Sequence, residues 1–279
     1  MGNLLSCFFQ ILFLTCVPLF AFGLAVFFCR WLFISLVGTE DGRPLLVGCF
    51  ALSTPLRELG HAIMAVLFMH RITDACFLNV HDANGELGFI EHSYHPRNPV
   101  AILGNFFYAL GPLAVGLFSV WAVLLLCFGD VMSDFAATVA ALGESAGVLD
   151  YLRVSLSLLP AMVGAKTGAF LKILGGVLLL LLCMGIFVSV AEAVQALGGF
   201  LIYAGLVFVF SAVLSLFDPR LQRILLGGLR GFAAGVTALF LVVLLAVGAL
   251  LAIGCICFLL RTLRGGRQTE TALQQYRAE

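Results

Sequence analysis

The chain has 279 residues, of which 62% are hydrophobic and only 11% are charged, and its mean hydropathy is +1.12. Soluble domains carry about 25% charged residues, so this composition excludes an ordinary soluble domain and predicts an all-α polytopic membrane protein. The formal net charge is zero and gives no indication of a nucleic-acid partner. The sequence therefore predicts that the protein contacts the lipid bilayer and does not bind nucleic acid.

The apolar runs are long enough to cross a membrane several times. A bilayer core is crossed by about 20 apolar residues in a helix. On this criterion the sequence predicts about six transmembrane helices, which are Leu4 to Cys29, Leu45 to Met69, Ala101 to Phe128, Phe170 to Val190, Gly199 to Phe217 and Gly231 to Leu260.

These runs divide the chain into an N-terminal anchor, a membrane core, a connection with the last transmembrane helix, and a polar tail, at 1–37, 45–217, 218–260 and 261–279. Within the core, the polar loop 70–99 is predicted to hold a short β-hairpin at 77–92, because apolar residues flank the Asn84-Gly85 turn signal. Segment 129–167 has the spacing of one or two amphipathic helices at the membrane surface.

A few polar residues stand out inside the apolar runs, where an ionisable side chain is costly and marks a candidate functional site. The second predicted span carries Arg57, Glu58 and His61, the third carries Asn105, and Glu192 lies between the fourth and fifth. Arg57 and His61 are four residues apart and therefore share one helical face. In the pattern H-E-x-x-H, two histidines at this spacing bind zinc and the glutamate is the general base. Here Arg57 replaces the first histidine, and a guanidinium cannot ligate a metal.

The residues around this position carry a family resemblance. Glu58-Leu59-Gly60-His61-Ala62 is similar to the H-E-L-G-H-A signature of the site-2 protease family of intramembrane zinc metalloproteases. Three further segments resemble a branch of uncharacterised bacterial relatives, namely Gly88 to Tyr94, Gly104 to Phe107 and Ser189 to Ala193. The resemblance covers roughly Val47 to Phe217 and implies a site-2 protease-like core in a bacterial cytoplasmic membrane.

Carried over by residue, the resemblance implies that Glu58 is the general base, that His61 and Glu192 are metal ligands, and that Asn105 lies near the substrate or oxyanion. Arg57 stands at the first-ligand position, which leaves the site short of the three protein ligands of a catalytic zinc. We therefore expect Arg57 to lie beside Glu192 and His61 and to neutralise the carboxylate in place of a metal.

The predicted protein is thus a degenerate, catalytically inactive member of the family. Glu58 is then a vestigial general base, no cofactor is predicted, and the chain is a scaffold or regulatory subunit whose partner is another membrane protein. Two alternatives stay open. An active metalloprotease would use zinc with His92 or His95 as a substitute ligand. A transporter or channel subunit would instead line a polar path with four polar side chains, Arg57, Glu58, Glu192 and Gln195.

Overall fold

The computed structural model of the protein describes residues 2–37, 43–79, 87–142, 148–217 and 219–278. The described part is mainly helical and contains one small sheet. The elements in chain order are α1 (Gly2–Val37), α2 (Arg43–Phe50), α3 (Ser53–Leu67), β1 (Arg71–Cys76), β2 (Phe89–Ser93), α4 (Pro99–Cys127), α5 (Gly129–Ala141), α6 (Val148–Gly164), α7 (Ala169–Cys183), α8 (Val190–Leu214) and α9 (Pro219–Ala278).

Within the described residues, four helices are long and apolar enough to cross a membrane, and they lie in α1, α4, α8 and α9. These helices indicate an integral membrane protein. The predicted number of about six spans is wrong, because two of the predicted spans do not form one long helix. The second is divided into α2 and α3, and α3 has 15 residues. Pro55 in the first turn of α3 has no amide hydrogen to donate to residue 51, so the helix is interrupted there. The fourth is α7, which also has 15 residues.

Helix α4 lies at the centre of the fold and packs against α3, α7 and α8. Asn98 begins this helix, because its side chain accepts a hydrogen bond from the Val100 amide at 3.0 Å. The contact with α3 is very close: a Cβ placed on Gly60 would lie 2.6 Å from the backbone carbonyl of Gly111. Small residues permit this approach of two backbones, which is how membrane helices gain van der Waals contact.

The remaining long helices surround this centre. Helix α1 packs against α9 and α8, and α9 also contacts the amphipathic helices α5 and α6. The segment predicted as one or two amphipathic helices forms two helices, α5 and α6. Ser155 of α6 is buried and donates a hydrogen bond to the Ala238 carbonyl of α9 at 3.2 Å, so α6 is fixed to α9 by a polar contact as well as by packing.

The two strands form an antiparallel sheet that packs against α3. The first strand lies at Arg71–Cys76, before the predicted start at residue 77, so the predicted position of that strand is wrong. Residue Met69, with φ of 61°, turns the chain at the end of α3 and allows the His70 amide to donate to the Ala65 carbonyl at 2.8 Å. Strand β1 therefore starts immediately after the helix. The predicted turn at Asn84-Gly85 lies outside the described residues.

Candidate functional site

Helix α3 brings the altered zinc motif into the protein interior. Glu58 and His61 are only 2% and 1% exposed, whereas Leu59 between them is 40% exposed. The helix therefore turns its polar motif inward and an apolar side chain outward, which is the reverse of a soluble amphipathic helix. Because Gly60 lies directly on the Gly111 backbone of α4, the polar face is held close to that helix.

Glu192 reaches the same place from the start of α8. Ser189 accepts a hydrogen bond from the Glu192 amide at 3.2 Å, and the Ser189 amide donates to Glu192 Oε2 at 2.9 Å. This reciprocal pair is a capping box, which satisfies two amides at the helix terminus. The box fixes one carboxylate oxygen of Glu192 and directs the other, Oε1, toward α3.

Arg57, Glu58, His61 and Glu192 form a buried ion cluster, the name used below for these four side chains. The Arg57 guanidinium donates from Nη1 to Glu58 Oε1 at 2.6 Å and from Nη2 to Glu192 Oε1. His61 Nε2 lies 3.1 Å from the same Glu192 oxygen. The expected approach of Arg57 to Glu192 and His61 is therefore confirmed. Glu58, the candidate general base, has a carboxylate oxygen bound by Arg57.

The contacts of His61 define the protons on its ring. Nδ1 lies 3.1 Å from the Tyr108 carbonyl oxygen, which can only accept, so Nδ1 carries a hydrogen. A hydrogen bond between Nε2 and the Glu192 carboxylate needs a second proton, on either the imidazole or the carboxyl group. With that proton on His61, the cluster has two positive and two negative charges. With the proton on Glu192, it has one of each. In both cases the two ring nitrogens of His61 are engaged in hydrogen bonds.

Two residues outside the predicted motif complete the surroundings of the cluster. The Phe187 ring, on the segment between α7 and α8, contacts the guanidinium of Arg57 at 4.6 Å and that of Arg30 at 4.8 Å. Arg30 also donates to the Met184 carbonyl at 2.9 Å and lies 4.0 Å from the Phe50 ring. Aromatic rings favour such cations when water is excluded. Arg30 therefore belongs to the interior rather than to the end of the first span.

A chain of five rings joined by four contacts, which we call the ring column, runs from the ion cluster to the sheet. His61 stacks on Tyr108 with centroids 4.3 Å apart, and Tyr108 contacts His92 of β2 at 4.2 Å. His92 in turn stacks on His70 at 4.9 Å, and His70 stacks on Tyr94 at 5.1 Å. The Tyr108 hydroxyl donates to the Ile90 carbonyl at 3.1 Å, so the column joins α3, α4 and the sheet.

The two proposed substitute ligands have other roles in the described contacts. His92 is a member of the ring column, where burial, together with the neighbouring His70 and His61, lowers its pKa to about 4. His95 is exposed, and its Nδ1 accepts a hydrogen bond from the Arg97 amide at 3.3 Å. Neither of these contacts directs the histidine toward the ion cluster as a metal ligand. Within the described residues, no group of three or more His, Cys, Asp or Glu side chains is arranged to hold a metal ion.

Asn105 is buried on α4, one turn before Tyr108, and its Oδ1 has no hydrogen-bond partner in the described part of the protein. No described hydrogen bond joins it to the ion cluster. The structure therefore brings together four of the predicted site residues, Arg57, Glu58, His61 and Glu192, whereas Asn105 lies on α4 and has no described contact with them.

The residues present do not fit the zinc site that the resemblance implies. The guanidinium of Arg57 already bonds Glu192 Oε1, and the Ser189 amide bonds Oε2. His61 directs Nδ1 to a carbonyl and Nε2 to the Glu192 carboxylate. A catalytic zinc needs three protein ligands with free lone pairs, and here the lone pairs are used within the cluster.

Comparisons with known proteins add no assignment, since no family model, no curated protein and no solved structure matches this chain. The likeness to site-2 proteases therefore depends on the motifs alone.

Proposed function

We propose that this protein is a catalytically inactive, site-2 protease-like membrane protein that acts as a scaffold or regulatory subunit of a membrane complex. In this proposal the Arg57 guanidinium takes the place of the metal and neutralises Glu192 across two helices. The observation that carries the proposal is the hydrogen bond between Arg57 and Glu192 inside the helical bundle. A bacterial cytoplasmic membrane is the proposed location.

The chemistry of the cluster supports a structural role over a hydrolytic one. A general base must be free to take a proton from water, whereas Glu58 accepts a hydrogen bond from Arg57 at 2.6 Å. A guanidinium stays protonated and therefore supplies neither a metal ligand nor a proton. What the cluster does supply is a set of charge-assisted bonds between α3 and the start of α8, and such bonds are stronger inside a low-dielectric interior.

The sheet offers a place for the partner. It has two strands, in the order β1-β2, so each described strand has one edge that is not paired within the sheet. An exposed strand edge can bind an extended peptide by main-chain hydrogen bonds. In the proposed scaffold, a segment of another membrane protein occupies such an edge and is held there without being cleaved.

Metal analysis tests this proposal directly. We expect the purified wild-type chain to bind far less than one zinc ion per molecule after dialysis against zinc. The informative variant is Arg57→His, which restores the H-E-x-x-H pattern and removes the replacement charge, and it should bind more zinc than the wild type. Stoichiometric zinc in the wild-type protein that is lost on His61→Ala would contradict the proposal.

A proteolysis assay separates the scaffold from an active protease. The wild-type chain and Glu58→Gln are expressed with a panel of transmembrane substrates, and the cleavage products are compared. The scaffold hypothesis predicts no difference between the two proteins. Cleavage that requires Glu58 would establish an active enzyme. Co-purification of an intact membrane protein that is released by mutations on the exposed edge of β1 would support the scaffold role.

A further inference from the structure

A second candidate site lies on another side of the molecule from the ion cluster. A crevice with a volume of about 950 Å³ lies between α1, α4, α5, α6 and α9. Its lining includes Trp121, which follows Tyr108 by 13 residues on α4 and is therefore about 20 Å farther along the helix axis. The crevice is separate from the proposed scaffold site, and its role does not depend on that proposal.

The walls of the crevice are mainly apolar. They include Phe13, Phe135, Trp121 and Tyr151, each from a different helix. Ligand pockets commonly have volumes of about 300–1,000 Å³ and apolar walls with a few polar groups, and this crevice matches that description. Phe13 and Phe232 of the lining are each 60% exposed, so the crevice opens to the outside of the membrane helices.

The floor of the crevice is a glycine face on α9. Gly227, Gly231 and Gly235 are four residues apart, so they share one side of the helix. A Cβ added to any of the three would meet no atom within 4 Å. Unlike Gly60, these residues face open space in the described structure, and the groove along them has room for an extended apolar chain.

The polar end of this face is basic. Arg223 lies one turn before Gly227 on the same side of α9, is exposed, and forms no ion pair among the described residues. Arg230 lines the crevice itself. An apolar groove alone would not select a ligand in a bilayer, because lipid tails are as apolar as the groove. Arginine beside such a groove attracts an anionic headgroup.

We propose that this crevice binds an anionic phospholipid, with one acyl chain along the glycine face of α9 and the phosphate group beside Arg223. The apolar walls match the chain, and the exposed guanidinium at the polar end of the face matches the phosphate charge. The lipid would be a stable component of the protein, held between the amphipathic helices and the membrane helices.

Native mass spectrometry of the full chain tests the selectivity. The purified protein is mixed with equal amounts of dioleoyl phosphatidylglycerol and dioleoyl phosphatidylethanolamine in detergent micelles. We expect one phosphatidylglycerol to be retained about fivefold more than phosphatidylethanolamine, the ratio expected from one basic residue near a headgroup. Equal retention of the two lipids would overturn the proposal, and so would a lipid-free dimer formed through the glycine face.

Matched variants locate the binding. Gly231→Leu fills the groove and should abolish selective retention. Gly248→Leu is the control, because Gly248 is also exposed on α9 with open space around it but does not line the crevice. Arg223→Gln should reduce the selectivity to near unity, whereas Arg97→Gln, at an exposed position before α4, should leave it unchanged. Selective retention that survives Gly231→Leu would place the lipid elsewhere and overturn the proposal.

Fluorescence quenching provides a test in which no residue that lines the crevice is substituted. The chain has only two tryptophans, Trp31 and Trp121, so Trp31→Phe leaves Trp121 as the single reporter in the crevice wall. In mixed vesicles, brominated phosphatidylglycerol should quench Trp121 at a lower mole fraction than brominated phosphatidylethanolamine. Identical quenching curves for the two lipids would show that no anionic lipid is selected there.

Discussion

Glycines in two regions of this protein have opposite surroundings. On α3 and α4, Gly60 and Gly111 lie against each other, and a Cβ on either would come within 2.6 Å of the other backbone. On α9, Gly227, Gly231 and Gly235 have no neighbour within 4 Å of an added Cβ. The same residue therefore permits close backbone packing in one region and leaves an open groove in the other. Glycine spacing alone does not distinguish the two cases.

The charged side chains of the two regions differ in the same way as the glycines: they are closely packed in one region and open in the other. Around the closely packed glycines, Arg57 and Glu192 are largely buried and bonded to each other. Along the open face of α9, Arg223 is exposed. Because a membrane interior gives little hydrophobic force between helices, close packing and polar bonds must hold α3, α4 and α8 together. Gly227, Gly231 and Gly235 make no such close contact, so we expect these positions to tolerate substitution without loss of stability, and the predictions below follow that contrast.

The largest effect is expected in the ion cluster. Glu192→Gln removes the carboxylate that Arg57 and His61 share, so the guanidinium keeps only its bond to Glu58 and His61 Nε2 loses its charged acceptor. We expect the free energy of unfolding to fall by about 3–5 kcal/mol, the usual cost of breaking a buried pair. Chemical denaturation in detergent measures this loss. Glu91→Gln, on an exposed residue of β2, is the control and should change stability by less than about 0.5 kcal/mol.

The next largest effect tests the close approach of α3 and α4. In Gly60→Ala, the new methyl group would lie 2.6 Å from the Gly111 carbonyl, so the helices must separate. We expect a loss near the upper end of the usual range for overpacking, about 3 kcal/mol. Thermal unfolding in detergent, together with the zinc content of the variant, would show whether separation also loosens the cluster. A variant as stable as the wild type would show that α3 and α4 are not closely packed.

A smaller effect is expected from the ring column as the pH falls. In the unfolded chain His92 binds a proton near pH 6.5, whereas in the folded protein its pKa is about 4. Between these values the unfolded state binds more protons, so the His92 contribution to stability is present above pH 6.5 and is lost as the pH falls toward 4. His92→Phe keeps a ring beside His70, Tyr108 and His61 but cannot titrate. The free energy of unfolding, measured from pH 7.5 to pH 4, should therefore depend less on pH in the variant than in the wild type. The same pH dependence in both proteins would contradict this assignment.

The smallest effect is expected on the open side. Gly227→Ala adds a methyl group where nothing lies within 4 Å, so the change should only improve helix formation. We expect a gain of about 0.5–1 kcal/mol or less. Destabilisation of the same size as in Gly60→Ala would remove the contrast between the two regions.

Much of the candidate site follows from local spacing in the sequence. Arg57 and His61 share a face because they are four residues apart, and Ser189 and Glu192 have the spacing of a capping box. The approach of Arg57 to Glu192 follows from the cost of leaving either charge alone in the bundle interior.

Other parts of the site depend on contacts between distant segments. Phe187 lies in an irregular segment, and its position against both guanidiniums follows from how α7 and α8 each pack against α4. Tyr108 has the sequence context of an ordinary core aromatic, and only the packing of α3 against α4 places it on His61. Hydropathy also overestimated the number of spans, because it does not register that Pro55 interrupts a helix. A proline in an apolar run does not by itself predict such a break, since Pro18 and Pro112 lie inside the continuous helices α1 and α4.

The most direct test of the account is a double-mutant cycle on Arg57 and Glu192. The free energy of unfolding is measured for the wild type, Arg57→Met, Glu192→Gln and the double variant under one set of detergent conditions. If the guanidinium neutralises Glu192 in place of a metal, each single variant leaves one member of the pair without the other, and the double variant is more stable than the sum of the single losses predicts. We expect a coupling energy of at least about 1–3 kcal/mol, the range for residues in direct contact. Additive losses would contradict the pairing and, with it, the proposed replacement of the metal.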